Sequence, residues 1–143
     1  MNNNLLTNKM KIHHIGIVVK NIQDSVGELS NFIKFEETSI PTLIGSQKVT
    51  VCFMKLGEMK IELIEPKDVD SPVSKFLEKG GGFHHICFEV KNLSETIKEM
   101  VEKGGRLIVP PVKGFENRQI AFIILNLKKT KINLIELAEV KND

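Results

Sequence analysis

The chain of 143 residues contains no tryptophan and no tyrosine. The absence of tyrosine excludes a phenolic proton donor, and without either residue a platform on which nucleic-acid bases could stack is not expected. The charge gives no sign of nucleic acid either, because 20 basic and 18 acidic residues leave a formal net charge of +2. We therefore expect no nucleic-acid partner.

Cysteines and long apolar segments are also scarce. Cys52 and Cys87 do not form a C-x-x-C pair, and each lies in an apolar run typical of a buried strand. A reduced protein in the cytoplasm is the simplest account. No apolar stretch approaches the ~20 residues needed to span a bilayer, and the opening MNNNLLTNKM lacks the basic and apolar regions of a signal peptide. We expect no membrane partner, and a flexible tail over residues 1–10.

What the sequence does contain is an internal repeat. The segment KIHHIGIVVKNIQDSV, beginning at Lys11, returns as GFHHICFEVKNLSETI at Gly82, with the shared residues 71 positions apart. The segments KIELIE and KINLIE, beginning at Lys60 and Lys131, keep the same offset. One offset held across about fifty residues indicates a duplicated structural unit.

Each copy predicts the same order of elements. A strand rich in Ile and Val comes first, and Asn21 or Asn92 then offers an N-cap for an amphipathic helix. Between the copies, SPVSKFLEKGGG predicts a short linker helix with Ser71 as its cap, Pro72 at its first position and Gly80 as its stop. Three β-type runs follow each helix: in the first copy around Thr38–Ile44, KVTVCFMKL and KIELIE, and in the second RLIVPPV, QIAFIIL and KINLIEL.

These elements predict one α+β domain over residues 1–143. Two tandem βαβββ modules, at about 11–66 and about 83–139, flank a linker helix at about 67–82. Neither module alone could bury both faces of its sheet, so the two are expected to form one curved mixed sheet with the helices outside.

The paired histidines at the start of each copy are candidate metal ligands. Strand alternation directs His13 and His14 to opposite faces, and separates His84 from His85 in the same way. One histidine of each pair can therefore face a cavity between the copies, beside carboxylates from the later strands. Two imidazoles and two carboxylates suit one divalent ion such as Ni, Co, Zn or Mn, with two octahedral positions left for water or substrate. The competing interpretation is that the histidines are hydrogen-bonded core residues and that the glutamates face solvent.

The choice of carboxylates stays open on spacing alone. The offset of 71 pairs Glu65 with Glu136, and Glu62 with Asn133, whereas an extended strand points Glu62 and Glu65 to opposite faces. Pro66 suggests that the strand is ending at Glu65, which favours Glu62.

Arg118, in the segment FENRQIAF, is a further candidate. Its guanidinium could hold a carboxylate or phosphate of a substrate as a two-pronged donor. The competing interpretation is a surface arginine where a strand begins.

Taken together, these segments resemble the vicinal oxygen chelate superfamily, which includes glyoxalase I, methylmalonyl-CoA epimerases, extradiol dioxygenases and bleomycin-resistance proteins. The resemblance covers Lys11 to Glu139 and is nearest to the epimerases, through HHIGIVVKNI, LGEMKIELIEP, DSPVSKFLEKGGGFHHICFEV and LIEL. It implies paired modules with one metal ion in the cleft that they form. The implied ligands are His14, Glu62, His85 and Glu136.

The resemblance also implies an activity. A metal-dependent epimerase or isomerase would move a proton next to the carbonyl of a small molecule or thioester, through an enolate held by the metal, with Glu136 and Glu62 as bases. Ser46 stands where epimerases carry a catalytic glutamate, and FIILNLKK replaces their HPK segment, so a glyoxalase I-like lactoylglutathione lyase is the alternative. A further alternative is a metal-free protein that binds small molecules such as drugs, although the presence of four implied metal ligands argues against it. The superfamily often pairs its chains, which adds a homodimer as a hypothesis.

Overall fold

The computed structural model describes residues 9–141, which contain nine β-strands and three α-helices. The chain divides into two compact units. The first unit is His14–His84, and the second comprises residues 9–13 and 85–141. Most of the predicted tail over residues 1–10 lies outside the described residues, and the single domain over residues 1–143 stays a prediction.

The first unit follows the predicted order, with one run divided in two. The run predicted around Thr38–Ile44 forms two short strands separated by Pro41, which has no N–H for a sheet ladder. The strand order is β2-β4-β5-β1, with β3 also paired to β4; β1 and β5 are parallel and the other pairs are antiparallel. Its elements are β1 (Lys11–Val18, of which residues 14–18 belong to this unit), α1 (Ile22–Phe32), β2 (Glu37–Thr38), β3 (Thr42–Ile44), β4 (Val49–Leu56), β5 (Met59–Pro66) and α2 (Ser74–Glu78).

The second unit repeats this plan with four strands. Their order is β6-β9-β8-β7, in which β6 and β9 are parallel and the other pairs antiparallel. The α+β class, the mixed sheet pairing and the βαβββ order of the modules are therefore confirmed. The elements are β6 (Gly82–Val90), α3 (Leu93–Glu102), β7 (Arg106–Lys113), β8 (Gln119–Ile124) and β9 (Leu134–Glu139).

The two long helices begin where the sequence predicts. The Asn21 side chain accepts a hydrogen bond from the backbone N–H of Asp24 (2.9 Å), and the Asn92 side chain accepts one from Glu95 (3.0 Å). Both asparagines have extended backbones, as an N-cap requires. The same capping contact thus recurs in both units.

The linker helix begins later than predicted. Helix α2 spans Ser74–Glu78, so the prediction that Ser71 caps it and Pro72 opens it is wrong. Residues 71–73 instead form a turn, in which the Ser71 carbonyl accepts from the N–H of Ser74 (3.1 Å) and the Ser71 hydroxyl accepts from Val73 (3.4 Å). The hydroxyl that was expected to cap the helix is thus used in the preceding turn. Gly80, at φ 121°, follows the helix as expected.

The predicted offset of 71 fails in the last strand of each unit. Glu62 lies opposite Phe53 in the β4–β5 pair, and Glu136 lies opposite Phe122 in the β8–β9 pair. Glu62 and Glu136 are therefore structural counterparts, and their offset is 136 − 62 = 74.

The main cause is the length of one connection, because the offset is 122 − 53 = 69 on one side of it and 74 on the other. Two residues, 57 and 58, join β4 to β5, whereas nine residues, 125–133, join β8 to β9. Lys131, where the predicted strand KINLIEL begins, lies in that longer connection. The true counterpart of IELIE at Ile61 is IELAE at Ile135.

One face of each sheet packs against its own long helix. In the first unit, Ile22 of α1 contacts a core of buried strand residues, Cys52, Met54 and Leu63. In the second unit, Leu93 of α3 lies in a cluster with Val90, Ala121, Ile123, Ile135 and Leu137. The polar pairs described below lie on the opposite faces.

Both cysteines are buried, on β4 and β6, and neither forms a disulfide. Burial raises the pKa of the Cys52 thiol above its ordinary value, and the thiol donates a hydrogen bond to the Ser39 carbonyl. Among residues 9–141, no helix has the length and apolar character required to cross a membrane.

Candidate metal centre

The first unit places a histidine beside a glutamate on two parallel strands. His14 on β1 and Glu62 on β5 are brought together by a register in which Gly16 lies opposite Glu62. The distance from His14 Nε2 to Glu62 Oε1 is 3.2 Å, and the two side chains are 0% and 6% exposed. Phe53 contacts the His14 ring edge-on, with ring centroids 5.2 Å apart.

The second unit contains the same arrangement. His85 on β6 and Glu136 on β9 are 3.0 Å apart, measured from Nε2 to Oε1, and their side chains are 2% and 3% exposed. Cys87 lies opposite Glu136 in the parallel register, as Gly16 does opposite Glu62. Phe122 contacts the His85 ring edge-on at 5.3 Å.

Each pair presents a ring nitrogen to a carboxylate oxygen in a place closed to water. A buried carboxylate costs several kcal/mol unless a positive charge or hydrogen-bond donors compensate it. A neutral imidazole with its proton on Nε2 donates a hydrogen bond to the carboxylate, and a metal ion bound by both groups would take the place of that proton. Imidazole nitrogen and carboxylate oxygen are the donors that borderline divalent metals prefer. The residues present therefore fit a metal ion, and each offers one ligand atom.

The glutamates three residues further on have a different role. The Glu65 side chain accepts a hydrogen bond from the N–H of Ile22 (2.8 Å), and Glu139 accepts one from Leu93 (3.2 Å). Ile22 and Leu93 are the first residues of α1 and α3, so each carboxylate lies at the positive end of a helix. The sequence left Glu62 and Glu65 open, and the structure places Glu62 beside His14. Strand β5 ends at Pro66, within one residue of the end that this proline suggested.

We expect Glu65→Ala to lower the free energy of unfolding by about 1–2 kcal/mol, because the N–H of Ile22 would lose its acceptor. Urea denaturation followed by circular dichroism measures this loss. Glu65→Gln keeps a side-chain oxygen and should lose less than half as much. Equal losses in the two variants would mean that the negative charge, and not the hydrogen bond, is the stabilising feature.

The other histidines and Ser46 have contacts of their own, and a ring nitrogen of His13 also lies within 4.8 Å of one of His14. His13 is 3.8 Å from Glu116, measured from Nε2 to Oε1, and its ring lies 4.9 Å from that of Phe115. His84 contacts Phe76 edge-on. Ser46 is exposed in the short 3-10 turn Gly45–Gln47, between β3 and β4.

Arg118 is neither exposed nor at the His85–Glu136 pair. Its side chain is only 9% exposed, so the interpretation as a surface arginine is wrong. Its Nη1 forms an ion pair with Glu89 on β6, and its Nη2 lies 3.6 Å from Glu116. The guanidinium carbon lies 5.4 Å from the ring centroid of Phe115. A role for Arg118 in substrate binding stays a prediction.

The sequence did not identify several of the residues that surround the two histidine–glutamate pairs. The two phenylalanines against the histidines, Phe53 and Phe122, were seen only as strand residues. Glu139 was not considered. The match between IELIE and IELAE aligns it with Glu65 and also gives the correct offset. No sequence signal connected Glu89 with Arg118, because 29 residues separate them.

Comparison with known proteins agrees with this architecture. The family model described as the Glyoxalase/Bleomycin resistance protein/Dioxygenase superfamily matches residues 13–122. The chain is 39% identical over 135 residues to the uncharacterized protein YqjC of Bacillus subtilis, covering 93% of this chain and 94% of that protein. It is 33% identical to the mitochondrial methylmalonyl-CoA epimerase of Dictyostelium discoideum, covering 90% of this chain and 78% of that protein.

A solved structure gives the same result. A variant of Streptomyces coelicolor methylmalonyl-CoA epimerase, in complex with 2-nitronate-propionyl-CoA, is similar to the chain with a TM-score of 0.80 and 27% sequence identity. The similarity covers 92% of this chain and 98% of that one. Since the family model spans most of the sequence, the chain belongs to the glyoxalase/bleomycin resistance protein/dioxygenase superfamily.

Proposed function

We propose that the chain is a metal-dependent epimerase or isomerase that moves a proton on the carbon next to a carbonyl, with an acyl thioester as its substrate. The observation that carries this proposal is the duplicated pair of a buried histidine and a buried glutamate, at 3.2 and 3.0 Å. The similarity to proteins named methylmalonyl-CoA epimerase supports the reaction and the thioester.

The metal ligands in this proposal are His14 and Glu62 together with His85 and Glu136. One pair alone supplies two ligands, fewer than metal sites in proteins usually use, whereas both pairs supply four. Two carboxylates also balance the charge of one divalent ion, which we propose is Ni, Co, Zn or Mn. When bound, the ion would polarise the carbonyl of the substrate and stabilise the negative charge that develops on its oxygen.

The same carboxylates are the proposed bases. Glu136 would take the proton from the carbon while the electron pair of the C–H bond moves toward the carbonyl oxygen. Glu62, protonated from solvent as the substrate binds, would then give its proton to that carbon from the other side, which inverts the configuration and leaves the proton that was removed on Glu136. Burial of both carboxylates keeps competing water away from the reacting carbon. Return of the proton to the adjacent carbon would instead give an isomerisation.

One observation favours a second candidate. Ser46 is the residue that corresponds to the additional glutamate expected in epimerases, and a hydroxyl cannot act as a base near neutral pH. Ser46 is exposed, and its side chain has no carboxylate that could replace that glutamate. A lactoylglutathione lyase of the glyoxalase I type needs only the two glutamates, so isomerisation of a hemithioacetal is the alternative activity.

Metal analysis combined with deuterium exchange tests the proposal. Protein purified without a chelator should contain about one divalent ion per chain and should exchange the proton at carbon 2 of methylmalonyl-CoA for deuterium in heavy water, detected by mass spectrometry. The controls are the spontaneous exchange without protein and the exchange after chelation and reloading. Metal with turnover of methylglyoxal and glutathione, but no exchange, would favour the lyase. Protein that neither binds metal nor exchanges would contradict both and leave the small-molecule binding protein.

A further inference from the structure

The pair formed by Arg118 and Glu89 lies on the same sheet face as the second candidate metal pair. Glu89 is four residues after His85 on β6, and strand alternation places both on one face. Arg118 directly precedes β8, four residues before Phe122, which lies opposite Glu136. Four residues of extended chain separate the two pairs by about 13 Å.

The first unit carries apolar residues at the equivalent positions. Glu89 corresponds to Val18 by the offset of the first strands, 89 − 18 = 71, and Arg118 corresponds to Val49, 118 − 49 = 69, the offset between Phe53 and Phe122. Val18 and Val49 are buried together in a hydrophobic cluster. The duplicated scaffold is therefore stable with apolar side chains here, and a buried ion pair is usually no more stabilising than such packing.

Arg118 also has an unused donor. Its Nε is buried, and none of residues 9–141 accepts a hydrogen bond from it. The 3.6 Å from Nη2 to Glu116 is too long for a hydrogen bond. The Nε–H therefore lacks an acceptor, whereas Nη1 is engaged by Glu89 and Nη2 is in an ion pair with Glu116. An unsatisfied buried donor is uncommon in a native protein and calls for an explanation.

The charge around Arg118 indicates which acceptor would suit it. The carboxylates of Glu89 and Glu116 already compensate Arg118 and Lys141, which lies 3.4 Å from Glu116. A further anion would bring excess negative charge to a partly buried place. A neutral carbonyl oxygen satisfies the Nε–H without that cost.

The turn before Arg118 is held in an uncommon conformation. Glu116 and Asn117 both have left-handed backbones, at φ 53° and 58°, a region that residues other than glycine seldom occupy. This turn brings Glu116 near His13 and Lys141 as well as Arg118. Strained backbone of this kind concentrates at functional sites.

We propose that Arg118 binds an amide carbonyl of the carrier arm of an acyl thioester, through its Nε–H edge. The inference rests on the proposed function, because the thioester must react at the metal pairs. The arm of coenzyme A, or of a carrier-protein thioester, contains two amides in line after the sulfur. An acyl group reacting beside Glu136 can therefore extend an amide along the same sheet face. Glu89 is then a positioning residue, which fixes the guanidinium through Nη1.

Three thioesters of methylmalonate test the contact. The first carries N-acetylcysteamine, the second replaces its amide N–H by CH2 and keeps the carbonyl, and the third is the ethyl thioester without either group. By calorimetry on the metal-loaded protein, the wild type should bind the first two about fivefold more tightly than the third, the effect of one hydrogen bond. Arg118→Lys keeps the charge beside Glu89 but removes the Nε–H, and should lose that preference. In Arg118→Lys, KM for the first thioester should rise, whereas kcat should stay within about twofold of the wild-type value.

The only other arginine of the chain provides the matched control. Arg106 is exposed on β7, and Arg106→Lys should leave all three affinities unchanged. Equal weakening of all three thioesters in Arg118→Lys would overturn the inference. If that variant does not fold, the wild type alone decides, and equal affinity for the three thioesters overturns the inference while deuterium exchange still supports the proposed function. Absence of binding by any thioester would overturn both.

Discussion

Replacing Glu136 by glutamine should slow deuterium exchange into methylmalonyl-CoA by roughly a thousandfold. Glutamine has the size of glutamate and can still offer one oxygen to His85 or a metal ion, but it cannot accept the proton from carbon. It also removes one of the negative charges that balance a divalent ion. The rate is measured by mass spectrometry in heavy water, at saturating substrate and metal.

Glu139 provides the control for this variant. It lies three residues further along β9 and accepts a hydrogen bond from the N–H of Leu93. Glu139→Gln keeps a hydrogen-bond acceptor there, so the exchange rate should stay within about threefold of the wild type. The variant makes the same chemical change on the same strand as Glu136→Gln. If Glu136→Gln exchanges as fast as Glu139→Gln, the base is another residue and the proposed mechanism is wrong.

Removal of the metal by a chelator should lower the midpoint of thermal unfolding by roughly 10 °C. An ion at a thousand times its dissociation constant stabilises the folded protein by about 4 kcal/mol, and each kcal/mol corresponds to about 2–4 °C for a chain of this size. Without the ion, two buried carboxylates lose their compensating charge. Differential scanning calorimetry before and after chelation measures the shift, and adding back Ni, Co, Zn or Mn should reverse it.

Neighbouring histidines give a matched test of the ligands. His14→Ala should abolish the response to the chelator, because it removes a proposed ligand, and His85→Ala should do the same. His13→Ala removes the adjacent ring, which faces Phe115 and Glu116, and should leave the response intact. A protein in which His13→Ala loses the response and His14→Ala keeps it would have its metal elsewhere.

The repeated segments were sufficient to predict the architecture of each unit. Asn21 and Asn92 carried the clearest local signal, because an asparagine before an amphipathic run has few roles other than capping. The parity of His14 and His85 was equally informative, since alternation in a strand leaves each side chain only two directions. These inferences succeeded because they depend on nearest neighbours along the chain.

The failures concern features that depend on distant residues. The similarity of KIELIE and KINLIE suggested one offset, but the length of a surface connection is set by no local pattern, so Glu62 and Glu136 could be matched only through their partners Phe53 and Phe122. The ion pair of Arg118 and Glu89 likewise exists only in the folded sheet. A cytoplasmic location and a homodimer stay predictions.

The connection between the last two strands is short in the first unit and long in the second, so the two units should tolerate insertions at this place differently. One residue added to the turn at residues 57 and 58 would reverse the facing of β5 and carry Glu62 away from His14. The nine-residue segment 125–133 can absorb extra length without such a slip, since lengthening an open loop costs little entropy. New recognition elements could thus be grafted or evolved in the second half, while the first half must keep its hairpin.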